Sequence, residues 1–176
     1  MTIRSTAADP RAATLLADAH ALGLTEITSI DVADLVFVAG GSDRVELQAL
    51  LVDPLLQSGD WAVPSTMAIE TALLPGVTDA SAQAVSLAAE TIGSPIAAVA
   101  TGTRYEVHGD VDDQILTVLA KRLLANPVIE RWSVGPIEPT FIDAEATADT
   151  GVEFVEIRDL DDDAVGAERV RHVGRV

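Results

Sequence analysis

The residues able to do chemistry are few and badly spaced for it. Three histidines, His20, His108 and His172, lie far apart, and none forms a two-histidine ligand spacing. Cysteine is absent, which removes thiol nucleophiles, thiolate metal sites and disulfides together. No Gly-x-Ser-x-Gly stretch presents a serine nucleophile. Gly40-Gly41-Ser42 leads toward a helix start, as an anion-binding loop would. It lacks the Gly-Lys-Ser/Thr ending, however, and Asp43 would set a negative charge against a phosphate, so it reads as a glycine turn with a cap. Asp161-Asp162-Asp163 lacks the glycine and terminal glutamate of a calcium loop and reads as a solvated face. Among 28 acidic residues no pair stands out in an apolar setting that would tune its pKa. No catalytic, cofactor-binding or metal-ligating residue is therefore assigned. Two features remain. Arg104-Tyr105 opens a strand beside the turn Thr101-Gly102-Thr103, where a large donor and an aromatic can face a partner; core packing of Tyr105 and surface solvation of Arg104 are the readings the residues favour over it. Asn126 sits at the corner of Leu123-Leu124-Ala125-Asn126-Pro127-Val128-Ile129-Glu130, where capping the turn suffices to explain it.

Positioning these residues requires a scaffold, and the scaffold is written twice. Asp9-Pro10 and Asp79-Ala80, 70 residues apart, each open an alanine-rich helical stretch closed by a glycine, Gly23 or Gly93. Strand-like Leu35 to Gly40 is answered by Arg104 to Gly109 at 69, Leu51-Val52-Asp53-Pro54 by Leu124-Ala125-Asn126-Pro127 at 73, and Trp61 by Trp132 at 71. Landmarks in constant order predict an internal duplication. Each copy opens with a strand, Thr2 to Thr6 or Met67 to Leu73. A capped helix follows, with the stripe Leu15, Leu16, Ala19, Leu22 or Ala82, Val85, Ala89, Ile92. Two strands come next, Ile27 to Val32 with Leu35 to Ala39, or Ile96 to Thr101 with Arg104 to His108. Asp43-Arg44-Val45-Glu46 and Asp110-Val111-Asp112-Asp113 start the second helices, which carry Val45, Leu47, Leu50, Leu51 and Ile115, Val118, Leu119, Leu123. These end near an Asx-Pro pair, ahead of a short strand holding a tryptophan. The expected fold class is α+β: two β-α-β-β-α-β repeats related by a pseudo-twofold, antiparallel sheets with helices on one side, and an acidic C-terminal extension. The boundaries fall at 1–64, 65–135 and 136–176. Gly135-Pro136-Ile137-Glu138-Pro139 reads as a linker, and Glu153 to Ile157 as one strand in a partly ordered tail.

Charge narrows the partners. Net charge is −17 with a pI near 4.2, a field that repels nucleic acid and anionic membranes. Met1 is followed by strand-like Thr2-Ile3-Arg4-Ser5, not by a basic stretch and an apolar block, and apolar runs are far shorter than the roughly 20 residues of a membrane span. A cytoplasmic protein is expected.

Leu73-Leu74-Pro75-Gly76-Val77-Thr78-Asp79, Tyr105-Glu106-Val107 and Leu123 to Glu130 resemble the small PurS subunit of phosphoribosylformylglycinamidine synthase. The resemblance runs from about Thr66 to Val134, and its most specific part is Leu-Leu-Ala-Asn-Pro-Val-Ile-Glu. The first copy resembles a diverged version, in a tandem layout similar to the N-terminal region of some long forms of the synthase. It departs from the family at Gly102-Thr103, where a glycine-lysine pair is usual, and the first copy lacks the Pro-Gly-Val turn.

The resemblance implies a non-catalytic bridging subunit in purine synthesis, joining a glutaminase subunit to a synthetase subunit and supporting ammonia transfer. On that reading the complex uses ATP, Mg²⁺ and glutamine, while this chain binds no cofactor itself. The chain is a monomer acting as an internal pseudo-dimer, or a homodimer. The partner surface is expected around Arg104, Tyr105, Asn126 and Glu130. The alternative reading is a tandem ferredoxin-like regulatory module that senses a small metabolite in a pocket between the copies.

Overall fold

A computed structural model describes residues 1–40, 43–62 and 67–141. The expected strand Glu153–Ile157 and the acidic run at Asp161 lie outside the described residues.

The chain folds as α+β. Its elements are β1 (Thr2–Ser5), α1 (Pro10–Ala21), β2 (Ile27–Ala39), α2 (Arg44–Leu51), β3 (Gln57–Asp60), β4 (Ala68–Leu73), α3 (Ala80–Thr91), β5 (Ala98–Gly109), α4 (Asp113–Leu119) and β6 (Glu130–Val134). All six strands join one antiparallel sheet in the order β3-β1-β2-β5-β4-β6.

Two expectations need correction here. Separate sheets are not formed, and each expected strand pair after the first helix is one long strand, so each half reads β-α-β-α-β. Ala33-Asp34 and Gly102-Thr103 look like turns in sequence. In the structure they lie opposite one another, Asp34 against Thr103 and Leu35 against Gly102, within a ladder running from Ile27↔Gly109 to Ala39↔Ala98. Pairing across this seam supplies the partners for backbone groups that would otherwise have turned back. Gly102 also meets the β4 backbone so closely that an added Cβ would collide with the Thr71 carbonyl oxygen.

The helix starts follow from their caps. Asp9 accepts from the Arg11 N–H, with Pro10 in the first helical position, and Asp43, Asp79 and Asp112 accept from Val45, Ala82 and Ile115. Gly23 and Gly93, with φ of 86° and 79°, follow the ends of α1 and α3, in the left-handed region that suits glycine. Beyond α4 a π-helical turn, Ala120–Leu124, closes with the Ala125 N–H on the Ala120 carbonyl.

The core sits between the sheet and the helices α1 and α4. Ile27, Ile30, Val32, Ile69 and Val107 meet Ala19, Leu116, Leu119, Ala120 and Leu124, with Leu15 and Leu16 packed at the margin. Leu116, Leu119, Ala120 and Leu124 form the buried stripe here, with Ile115 and Leu123 partly buried beside it. Val45 and Ile92, expected inward, are exposed, whereas Leu47 is buried. The 136–141 stretch is not a free linker: Ile137 is buried, its N–H donates to Glu70 Oε2 at 2.8 Å, and Arg131 reaches the Glu138 carbonyl and the Thr140 hydroxyl.

Candidate functional site

Successive residues of a strand point to opposite faces, so Arg104 and Tyr105 cannot share a surface. Tyr105 lies on the helix side and packs against the core. Its hydroxyl interacts with Thr103 and Thr71. Burial pushes the phenol pKa above its ordinary value, the Glu130 charge adds to this, and the threonine hydrogen bonds and the Arg11 charge oppose it.

Arg104 lies on the other face, and its predicted exposure is not observed. It is 1 % exposed. Its Nη1 donates to Glu70 Oε1 at 2.6 Å and its Nε to Glu106 Oε1 at 3.0 Å, and the same Glu106 oxygen accepts from Arg4 Nη2 at 2.6 Å. Three strands supply these charges: the neighbours β4 and β5 give Glu70, Arg104 and Glu106, and β1, on the far side of β2, gives Arg4. Alternating charges in a buried row compensate one another, which is how such groups are tolerated away from water. The signal for this network lay in the strand period: placing Ile69, Thr71 and Leu73 on one face of β4 leaves Glu70 on the other, beside Arg104.

Asn126 and Glu130 do come together, with Glu130 at the start of β6 and Asn126 in the turn before it. Asn126 Oδ1 accepts from the Val128 N–H at 3.1 Å, and Glu130 Oε2 accepts from the Asn126 N–H at 2.8 Å. The turn before β3 repeats every bond. Asp53 Oδ1 accepts from the Leu55 N–H at 2.8 Å, and Gln57 Oε1 accepts from the Asp53 N–H at 3.0 Å. Proline at the second position of both turns holds the bend. Each turn then projects an apolar pair into solvent, Leu55 (84 %) and Leu56 (64 %) on one, Val128 (78 %) and Ile129 (41 %) on the other. The strands that follow, β3 and β6, are the two outer strands of the sheet.

Among the described residues no three His, Asp or Glu side chains gather as a metal site would require. His20 Nε2 is bonded to the Ile27 carbonyl, and His108 Nε2 lies 2.9 Å from Asp31 on the surface. Nor is any described helix long and apolar enough to cross a membrane.

An α+β sheet protein with paired turns on its outer strands and no assembled reaction centre among its described residues is the class defined so far. Residues 66–138 match the family model of PurS, described as phosphoribosylformylglycinamidine (FGAM) synthase, so this segment is similar to a PurS domain. No curated protein matches the chain.

Proposed function

We propose that the chain is a non-catalytic bridging component of an FGAM synthase complex, holding a glutaminase and a synthetase together and supporting the passage of ammonia between them. The observation that carries this reading is the pair of equivalent Asx-Pro turns beside opposite outer strands, each offering two exposed aliphatic side chains. A bridge needs two docking points, and these turns are alike in every bond and separated by the width of the sheet. Exposed aliphatic pairs of this kind suit burial against a partner. Asn126 and Glu130 act here by shaping one docking turn, with Tyr105 and Arg104 bracing the sheet behind it. ATP, Mg²⁺ and glutamine are the concern of the partners, and the complex works in the cytoplasm.

The same reading takes the chain as two fused PurS-like units, 1–64 and 65–135, with 136–176 as an extension. The strand order supports this, since exchanging β1, β2, β3 for β4, β5, β6 leaves it unchanged when read from the other edge. Aspartate caps at Asp43 and Asp112 support it as well. Fusion makes the pairing intramolecular, so a monomer holds what two chains would otherwise assemble.

The test is size-exclusion chromatography with light scattering on this chain mixed with its source's glutaminase and synthetase, in glutamine, Mg²⁺ and ADP. A ternary peak that requires the chain, together with glutamine-dependent synthase activity, is expected. No association under any nucleotide condition overturns the reading. A small-metabolite sensor is the second reading. It draws on a cavity of about 510 Å³ on the helix side of the sheet, lined from the first half by Ile3, Asp34 and Leu51 and from the second by Thr71, Thr103 and Glu130.

A further inference from the structure

A cavity of about 450 Å³ lies where β2 ends and α2 begins, with Phe37, Arg44, Leu47, Trp61, Pro139 and Phe141 in its wall. Two of these groups lack what their chemistry calls for. The Trp61 Nε1–H is buried with no hydrogen-bond partner among the described residues. A buried donor left in this state is uncommon in a folded protein and invites an acceptor. Arg44 stacks over the same indole, its guanidinium carbon 5.4 Å from the ring centroid. Arg4, Arg11 and Arg104 all pair with carboxylates, whereas Arg44 has no such partner among the described residues. Asp60, adjacent to Trp61, is engaged by the Ala62 N–H. Arg122 and Arg131 likewise have no carboxylate partner among the described residues, but of the three only Arg44 lines this cavity beside the indole.

The second half does not reproduce this arrangement. Shifted by 69 residues, Leu47 becomes Leu116, but Phe37 becomes Glu106 and Arg44 becomes Asp113. Trp132 has Lys121 at 6.0 Å in place of an arginine. Phe37 and the planar cation of Arg44 therefore have no counterpart in the second half, which is a chemical difference between otherwise parallel units.

We propose that this cavity binds a small organic anion, a carboxylate or phosphate carried on a flat aromatic body. The planar fork of Arg44 and the Trp61 Nε1–H hold the anionic oxygens, a pairing suited to guanidinium geometry. Phe37, Trp61 and Phe141 enclose the ring, which prefers offset or edge-on contact with them. The site is separate from both docking turns and does not depend on the bridging role.

Isothermal titration calorimetry on the full chain tests it, with benzoate and adenosine monophosphate as ring-bearing anions and acetate, inorganic phosphate and benzamide as the separated halves. At least one ring-bearing anion is expected to bind tenfold or more tightly than any of the halves, and which one binds identifies the anionic group. Arg44→Gln, at an exposed position, and Trp61→Phe, which keeps a ring but removes the N–H, are each expected to weaken it at least tenfold with circular dichroism unchanged. Absence of binding by both ring-bearing anions at millimolar concentration overturns the proposal. So does equal binding by a separated half, or wild-type affinity in Arg44→Gln.

Discussion

Glu130 and Asn126 are joined across four residues by a hydrogen bond from the Asn126 backbone N–H to the Glu130 carboxylate at 2.8 Å. The bond closes a turn whose outward face is Val128 and Ile129, and Gln57 closes the turn of Leu55 and Leu56 in the same way at 3.0 Å. On the proposed bridging reading, these polar residues act through the shape they give to a short apolar tip.

Removing the shape and removing the tip have different signatures. Asn126→Ala with Glu130→Ala costs about 1 kcal/mol of stability, the usual worth of such bonds at the surface, and weakens assembly. Val128→Ser with Ile129→Ser leaves stability within about 0.5 kcal/mol, as exposed changes do, and still weakens assembly. Urea midpoints alongside pull-down with each partner separate the two effects. Leu55→Ser with Leu56→Ser is expected to lose a different partner from the one lost at Val128 and Ile129.

The buried charge row makes Arg104 a stability residue. Arg104→Met takes the guanidinium from buried Glu70 and leaves Glu106 with that of Arg4, and is expected to cost about 3–5 kcal/mol, read from urea unfolding. Adding Glu70→Gln and Glu106→Gln to that variant recovers a large part of the loss, because neutral amides tolerate burial better than orphaned carboxylates.

Tyr105 is the one tyrosine in the chain, so absorbance at 295 nm follows it directly. Its phenol titrates above the ordinary 10.0, with burial the leading cause and Glu130 the second. An unfolded chain ionises near that ordinary value while the folded chain resists. Stability is therefore complete below pH 10 and declines as pH rises from there toward the folded pKa. Glu130→Gln is expected to bring the titration back toward the ordinary value.

Gly102→Ala tests the close passage of β5 along β4. The new Cβ meets the Thr71 carbonyl oxygen, a backbone atom that cannot swing aside. A loss of about 1–3 kcal/mol in thermal or urea unfolding is expected, in the range of other overpacked sites.

Elements governed by local chemistry were legible in the sequence. The aspartate caps, Pro10 and the glycine stops at Gly23 and Gly93 set the first helices within a residue or two. What depends on residues far apart in the chain was not. Ala33-Asp34 and Gly102-Thr103 resemble turns until each is supplied with the other as a ladder partner. Arg104 resembles a surface cation until Glu70, 34 residues away, is placed beside it. At the site, Asn126 and Glu130 were found through a local motif. The isolation of the Trp61 N–H beneath Arg44 left no trace in spacing or residue type.

The seam between β2 and β5 joins the halves through backbone pairing along its full length, and that geometry is indifferent to which chain supplies each strand. Two molecules can exchange halves, the first of one pairing with the second of the other, and rebuild the same sheet twice without a new contact. Such an exchange converts loop entropy into concentration dependence. Shortening the connection between β3 and β4 is thus expected to favour an interlocked dimer over a closed single chain, with every strand register preserved.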